Sequence, residues 1–141
     1  MPKSLSCVLL ADRHHGLTEG VRGLLATSFG SVVMVADEAS LIECAGRLQP
    51  DMAVVDLSLA PGGHLKWLQE LRQSCPNLKV IVLSVHDQQS VREAVMRAGA
   101  DAFVLKRAIA TDLLATVDAV RCGHVDASPS FPSDWPSRRG D

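Results

Sequence analysis

The sequence predicts one α/β domain, in which a parallel sheet of five strands carries helices on both faces. Five short apolar runs are nearly continuous rather than alternating, as is typical of strands buried on both faces. Segments with helical spacing separate these runs, and this strict alternation favours right-handed crossovers within a parallel sheet. The length of 141 residues fits a single domain. The predicted strands cover residues 7–11, 32–35, 52–55, 80–83 and 102–105.

Helix boundaries follow from capping residues and from residues that interrupt helices. Ser40 is the predicted cap of the second helix, and Pro76 ends the third. The fourth helix is expected to begin after Asp87 and to end at Gly99, and the fifth to begin after Thr111. The predicted apolar faces, in chain order, are Leu17, Val21, Leu24 and Leu25; Leu41, Ala45 and Leu48; Leu65, Leu68 and Leu71; Val91, Ala94 and Val95; and Leu113, Leu114, Val117 and Val120.

Composition and charge argue against several classes of protein. The formal net charge is −2, from 14 Lys and Arg against 16 Asp and Glu, so there is no large basic field for nucleic acid. Only 4% of the residues are aromatic, too few for a platform on which single-stranded bases stack. No apolar run approaches the roughly 18 residues of a membrane span. We therefore expect a cytoplasmic protein without a membrane partner.

The cysteines and the last residues add two expectations. The four cysteines are widely spaced, unlike a disulfide framework or a zinc site, and are expected to be thiols in a reducing compartment. From His124 onward the chain is rich in Ser and Pro, as linkers and frayed termini are. We predict a folded domain over residues 1–123 and a disordered tail over 124–141.

Four polar residues directly follow predicted strands: Asp12, Asp56, Ser84 and Lys106. Because ligands of open α/β sheets bind outside the carboxyl ends of the strands, these side chains are expected to share one pocket, here named the strand-end pocket. Two carboxylates, a hydroxyl and an ammonium are the groups that phosphoryl transfer to a carboxylate requires. The pattern predicts such chemistry.

The sequence resembles the receiver domain of bacterial two-component response regulators, most closely the NarL/FixJ-type branch. The resemblance covers residues 5–123 and depends on the segments VLLADRHHGLTEGV, PDMAVVDLSL, VIVLSV, RAGADAFVLK and DLLATV in this order. It implies a flavodoxin-like fold with strand order 2-1-3-4-5.

The resemblance also implies a role for each site residue. Asp56 would accept a phosphoryl group from a sensor histidine kinase or a phosphotransfer protein. Ser84 and Lys106 would contact that group, and Phe103 would be the aromatic residue that changes rotamer with Ser84. Mg²⁺ would be bound by Asp12, Asp56 and the backbone carbonyl of Ser58.

One residue departs from the family pattern at the metal site. Arg13 stands where the family has a second acidic residue. Asp12, Asp56, Arg13 and Lys106 sum to zero charge, whereas the usual three carboxylates and one lysine sum to −2. Arg13 is therefore expected to weaken Mg²⁺ binding, either by pairing with Asp56 or by turning to solvent.

The loop after Asp56 departs as well, with Ala60 in place of a proline, Pro61 one position late and His64 in place of a glycine. These substitutions put the backbone geometry of the loop in question, but not the fold. They leave the residues of the strand-end pocket unchanged.

The chain ends about 18 residues after the fifth helix, too few for the helix-turn-helix domain of this branch. We therefore expect no direct DNA binding, and either a stand-alone receiver or a fragment without its output domain. A homodimer through the face of helices 4 and 5 is a further expectation.

Two alternatives remain beside the phosphorylated switch, which is not expected to be an enzyme. One is a phosphorylation-independent interaction module, which Arg13 favours. The other is a phosphohydrolase with Asp56 as nucleophile, although Ser58 stands where the haloacid-dehalogenase pattern requires a second aspartate.

Overall fold

The computed structural model describes residues 6–13, 15–60 and 64–121, and the side chains of residues 15–18 lie outside the description. Within these residues, five strands and five α-helices alternate. The strands are β1 Cys7–Ala11, β2 Ser31–Val35, β3 Met52–Asp56, β4 Lys79–Ser84 and β5 Ala102–Leu105. The helices are α1 His15–Ala26, α2 Glu38–Leu48, α3 Lys66–Ser74, α4 Gln89–Arg97 and α5 Ile109–Arg121.

All strand pairs are parallel, and the strand order is β2-β1-β3-β4-β5. This is the flavodoxin-like order that the resemblance implied. The register pairs Ala11 with Val55 and Asp56 with Leu83. The carboxyl ends of β1, β3 and β4 therefore meet at one edge of the sheet, where ligands of open α/β sheets bind.

The sheet separates two apolar layers, and successive residues of each strand lie in opposite layers. In β1, Leu9 and Ala11 belong to the layer with α2, α3 and α4, whereas Val8 and Leu10 belong to the layer with α1 and α5. All four are 0% exposed. Because both faces of β1, β3, β4 and β5 are buried, these strands are continuously hydrophobic, and this explains why the apolar runs predicted them closely. The edge strand β2 is apolar in sequence but only partly buried.

Two predicted helix starts are wrong. The cap of α2 is Asp37, whose carboxylate accepts a hydrogen bond from the amide of Ser40 at 2.8 Å, so Ser40 lies inside the helix. Helix α5 begins at Ile109 rather than after Thr111, because a 3₁₀ turn over Lys106–Ala108 leads directly into it. The hydroxyl of Thr111 instead donates to the carbonyl of Ala108 at 3.1 Å.

The apolar face of α4 is also different from the prediction. Ala94 is exposed, and the helix buries Arg92, Val95 and Met96. Burial lowers the pKa of Arg92 to about 10, so this guanidinium stays charged at neutral pH. It lies 5.9 Å from the centroid of the Phe103 ring, within the range of a cation–π interaction. The sequence pattern did not predict that Arg92 is buried, because an arginine on a helix is normally exposed.

The exposed apolar side chains lie elsewhere. Among the described residues the large exposed ones are Met34, Leu48 and Val85, and α4 and α5 contribute none of them. Leu48 was predicted to be on the buried face of α2, but it is 42% exposed at the last turn of the helix. The apolar residues of α4 and α5 that suggested a homodimer face pack mainly into the two layers.

Several predictions fall outside the described residues. These are the side chain of Leu17, residue Pro61, and the predicted tail over residues 124–141. In the part of the chain that is described, no helix combines the length and the apolar character needed to cross a membrane.

Candidate functional site

The four polar residues predicted from the sequence all lie at the carboxyl edge of the sheet. Asp12 directly follows β1, Asp56 and Ser84 are the last residues of β3 and β4, and Lys106 directly follows β5. Asp12, Asp56 and Ser84 are each 2% exposed or less, and such burial of polar groups requires partners.

Lys106 joins the two carboxylates of the strand-end pocket. Its Nζ lies 3.1 Å from Oδ2 of Asp56 and 3.5 Å from Oδ2 of Asp12. The Lys106 side chain is 10% exposed, so solvent screens these ion pairs much less than it screens surface pairs. One ammonium therefore lies between two buried carboxylates and reduces their mutual repulsion.

Ser58 completes the surroundings of Asp56. Its hydroxyl donates to Oδ2 of Asp56 at 2.7 Å, and its amide donates to Oδ1 at 3.4 Å. Burial raises the pKa of Asp56, but the hydrogen bonds from Ser58 and Lys106 and the charge of Lys106 outweigh it and lower the pKa below its ordinary value. Asp56 is therefore an anion at neutral pH. The sequence predicted only the carbonyl of Ser58 as functional, although aspartate side chains commonly accept a hydrogen bond from the amide two residues on, as Asp56 does here.

Asp56, Ser84 and Lys106 line one cavity of about 760 Å³. Its other walls include Arg13, His86 and the apolar side chain of Val91. Ser84 Oγ accepts a hydrogen bond from the amide of His86 at 2.9 Å and donates to the carbonyl of His86 at 3.2 Å. The Ser84 hydroxyl is thus engaged in the turn between β4 and α4, at the rim of the cavity. Nothing in the sequence predicted the contact between the backbone of His86 and the Ser84 hydroxyl.

Phe103 does not share the cavity wall with the polar residues. It lies in β5, is 0% exposed and belongs to the apolar layer with α2, α3 and α4. Its backbone partner in the register is Val82 of β4, two residues before Ser84. The ring is therefore turned into the protein, with the guanidinium of Arg92 as its charged neighbour.

Arg13 adopts an arrangement that neither alternative described. Its side chain is exposed, yet Nη1 donates to the backbone carbonyl of Ser58 at 3.4 Å. Ala60, also in this loop, is buried at 2% exposure. The carbonyl of Ser58 was the predicted third ligand of Mg²⁺, so a cationic side chain of the protein contacts one of the predicted metal ligands.

The pocket lacks part of the acidic set that the resemblance implies for Mg²⁺, because Arg13 stands in place of the second carboxylate. Mg²⁺ requires oxygen ligands in octahedral geometry, and carboxylates provide most of the attraction. Here Lys106 pairs both carboxylates, and Arg13 holds the carbonyl of Ser58. Within residues 6–13, 15–60 and 64–121, no three His, Cys, Asp or Glu side chains are grouped to hold a metal ion.

Comparison with known proteins identifies the family of the chain. Residues 8–118 match the model of the response regulator receiver domain. The nitrate/nitrite response regulator NarP of Escherichia coli is 36% identical over 118 residues, which cover 82% of this chain and 54% of NarP. The solved receiver domain of the stress response regulator RcsB from Escherichia coli is 25% identical, with a TM-score of 0.76. The alignment covers 86% of this chain and 96% of the RcsB chain.

The expectation of no DNA binding is wrong as it was argued. It rested on where the chain ends, but this chain spans about half the length of the curated relatives it matches. A structure of RcsB in complex with DNA is similar at 25% identity and a TM-score of 0.78, and the alignment covers 89% of this chain and 64% of the RcsB chain. The end of the sequence therefore gives no ground for excluding DNA from the function.

The fold and the comparisons agree on the family. The strand order, the buried aspartate at the end of β3 and the lysine after β5 are those that the resemblance implied. The match to the family extends through all five strands. The chain belongs to the response regulator receiver domains of two-component signalling, and its relatives are regulators of the NarL and NarP type.

Proposed function

We propose that Asp56 accepts a phosphoryl group from the phosphohistidine of a sensor histidine kinase or of a phosphotransfer protein. The observation that carries the proposal is the pair of Asp56 with Lys106, 3.1 Å apart in a cavity that Ser84 also lines. The chain then acts as a switch that is modified once, rather than as an enzyme with continuous turnover.

The chemistry requires an anionic nucleophile and a cation beside it. A carboxylate oxygen of Asp56 forms a bond to phosphorus as the phosphorus–nitrogen bond of the donor breaks. The electron pair of that bond stays on the imidazole, which leaves as a neutral ring when its other nitrogen carries a proton. The lowered pKa of Asp56 keeps the carboxylate ionised, and the ammonium of Lys106 stabilises charge on the phosphoryl oxygens.

Ser84 is the residue that we expect to report the modification. Its hydroxyl has one proton, which it now donates to the carbonyl of His86. To donate to a phosphoryl oxygen instead, it must give up that bond and loosen the turn that precedes α4. Phe103 lies on the neighbouring strand, so we expect its packing beside Arg92 to change with the position of Ser84.

We further propose that this switch controls transcription in the cytoplasm. The relatives support this step, because NarP is a response regulator and RcsB is solved with DNA. The alternative of a phosphorylation-independent module is not favoured, since Asp56, Ser84 and Lys106 line one cavity with the charges that phosphoryl transfer needs.

The test is the mass of the intact protein after incubation with acetyl phosphate. We expect a gain of one phosphoryl group in the wild-type protein and none in Asp56→Asn. Asp118→Asn is the matched control, because Asp118 is an exposed aspartate on α5. An adduct on Asp56→Asn would contradict the assignment of the acceptor, and steady hydrolysis of acetyl phosphate by a small amount of protein would contradict the switch.

A further inference from the structure

The side chain of Arg13 places a positive charge against one of the predicted metal ligands. Arg13 follows Asp12 at the end of β1, and its Nη1 donates to the carbonyl of Ser58 at 3.4 Å. The same guanidinium lines the cavity that contains Asp56 and Lys106. A positive charge is thus held beside the carboxylate that would receive a phosphoryl group.

The charges of this region balance without a divalent ion. Asp12 and Asp56 contribute two negative charges, and Lys106 and Arg13 contribute two positive charges. A divalent ion would compete with Arg13 for the carbonyl of Ser58 and would be repelled by both cations. The side chains therefore disfavour the metal and leave the pocket with a permanent cation of its own.

A guanidinium is chemically suited to replace a metal ion at this position. It is always charged at neutral pH, and its planar set of N–H donors matches two phosphoryl oxygens at once. Because the Arg13 side chain is exposed, it can contact an incoming phosphoryl group without first leaving a buried position.

We propose that Arg13 takes the place of the divalent metal, so that Asp56 accepts a phosphoryl group from a small acyl phosphate without Mg²⁺. This inference rests on the function proposed above. The bond between an Asp56 oxygen and phosphorus forms as the bond between phosphorus and the acyl oxygen breaks. The departing carboxylate keeps the electron pair, so the step needs neither a proton nor a redox partner. Arg13 and Lys106 together stabilise the phosphoryl oxygens.

The test measures formation of the Asp56 adduct with acetyl phosphate in EDTA and in Mg²⁺, by intact-protein mass against time. The wild-type rate is expected to agree within about twofold between the two conditions, because the cation is part of the chain. In Arg13→Asp the rate in EDTA is expected to fall at least about tenfold and to recover with Mg²⁺, since an acidic pair is restored. Arg13→Gln is expected to be slow in EDTA. Arg22→Gln, which removes an exposed arginine of α1, is the matched control and is expected to behave as the wild type.

A binding readout supports the kinetic one. Mg²⁺ is expected to raise the melting temperature of Arg13→Asp and to leave that of the wild type unchanged, because an ion that binds only the folded state stabilises it. The same melting curves in EDTA show whether each variant is folded.

The outcomes separate the two proposals. A wild-type adduct that forms only with Mg²⁺ overturns the role of Arg13 and leaves Asp56 as the acceptor. An Arg13→Asp protein that is modified as fast as the wild type in EDTA also overturns it. If the wild type forms no adduct in either condition, both proposals are wrong.

Discussion

At the scale of single residues, the charge of Asp56 determines what the pocket can do. Burial raises the pKa of this carboxyl group, but hydrogen bonds from Ser58 and Lys106 and the charge of Lys106 lower it by more and keep the group ionised. The hydrogen bonds that hold the carboxylate in the folded protein are therefore the same interactions that keep it ready as a nucleophile. Function and stability are coupled at this residue.

This coupling predicts a pH dependence. The folded pKa of Asp56 lies below its ordinary value of 3.8, so its ionisation stabilises the fold fully above that value, and the contribution is lost as the pH falls through the folded pKa. The free energy of unfolding of the wild type, relative to that of Asp56→Asn, is expected to decrease between neutral pH and about pH 3. Urea unfolding over this range is the measurement. A difference that does not change with pH would show that Asp56 is not held as an anion.

At the scale of elements, side-chain hydrogen bonds hold the turn between α4 and β5. Gly99 follows α4 with a φ of 121°, and its carbonyl accepts hydrogen bonds from the guanidinium of Arg72 in α3. The same guanidinium pairs with Asp101, whose carboxylate accepts from the amide of Val80 at 2.8 Å. One arginine thus fixes the end of one helix to two neighbouring strands.

Two glycine substitutions, one in this turn and one in α1, are expected to change the free energy of unfolding in opposite directions. Gly99→Ala is expected to lower the free energy of unfolding by about 1–3 kcal/mol, because a side chain is strained at this φ. Its Cβ would also lie 3.4 Å from Cγ of Arg72. Gly23→Ala, in the interior of α1 with no atom near the new Cβ, is expected to raise it by about 0.5–1 kcal/mol. Thermal or urea unfolding measures both, and a neutral Gly99→Ala would mean that the turn relaxes freely.

The ends of the helices show where the sequence pattern predicts a boundary correctly and where it does not. The prediction of Gly99 as the residue after α4 is confirmed, because only glycine adopts that backbone angle readily. Ser40 was a plausible cap from its side chain, but Asp37 lies at the true first turn. A local sequence can contain several residues able to cap a helix, and the packing of α2 on the sheet selects one of them.

At the scale of the whole molecule, the two apolar layers lie within the described residues. The last helical residue of the core is Val120 in α5, which is 2% exposed. Within the described residues, the five strands and five helices that form the sheet and both layers end with α5 at Arg121.

Removal of residues 124–141 is therefore predicted to leave stability unchanged. The free energy of unfolding of a chain that ends at Gly123 is expected to agree with that of the full chain within about 0.5 kcal/mol, as for changes outside a core. Urea unfolding with the slope and midpoint fitted separately provides the comparison. A loss of more than about 1 kcal/mol would show that the predicted domain boundary is wrong.

The amino-acid sequence by itself determined the alternation of strands and helices and the four polar residues at the strand ends. These are local properties: apolar runs mark strands buried on both faces, and a polar residue directly after such a run lies at an edge of the sheet. Asp12, Asp56, Ser84 and Lys106 could therefore be identified without coordinates.

Only the tertiary structure decided which atoms meet at that edge. Arg13 and Ser58 are 45 positions apart, and nothing in either segment specifies the contact between the guanidinium and the carbonyl. Burial of the Arg92 charge beside Phe103 likewise depends on how α4 packs against β5. Such contacts depend on distances and desolvation set by the whole fold, and those quantities determine charge and affinity in the pocket.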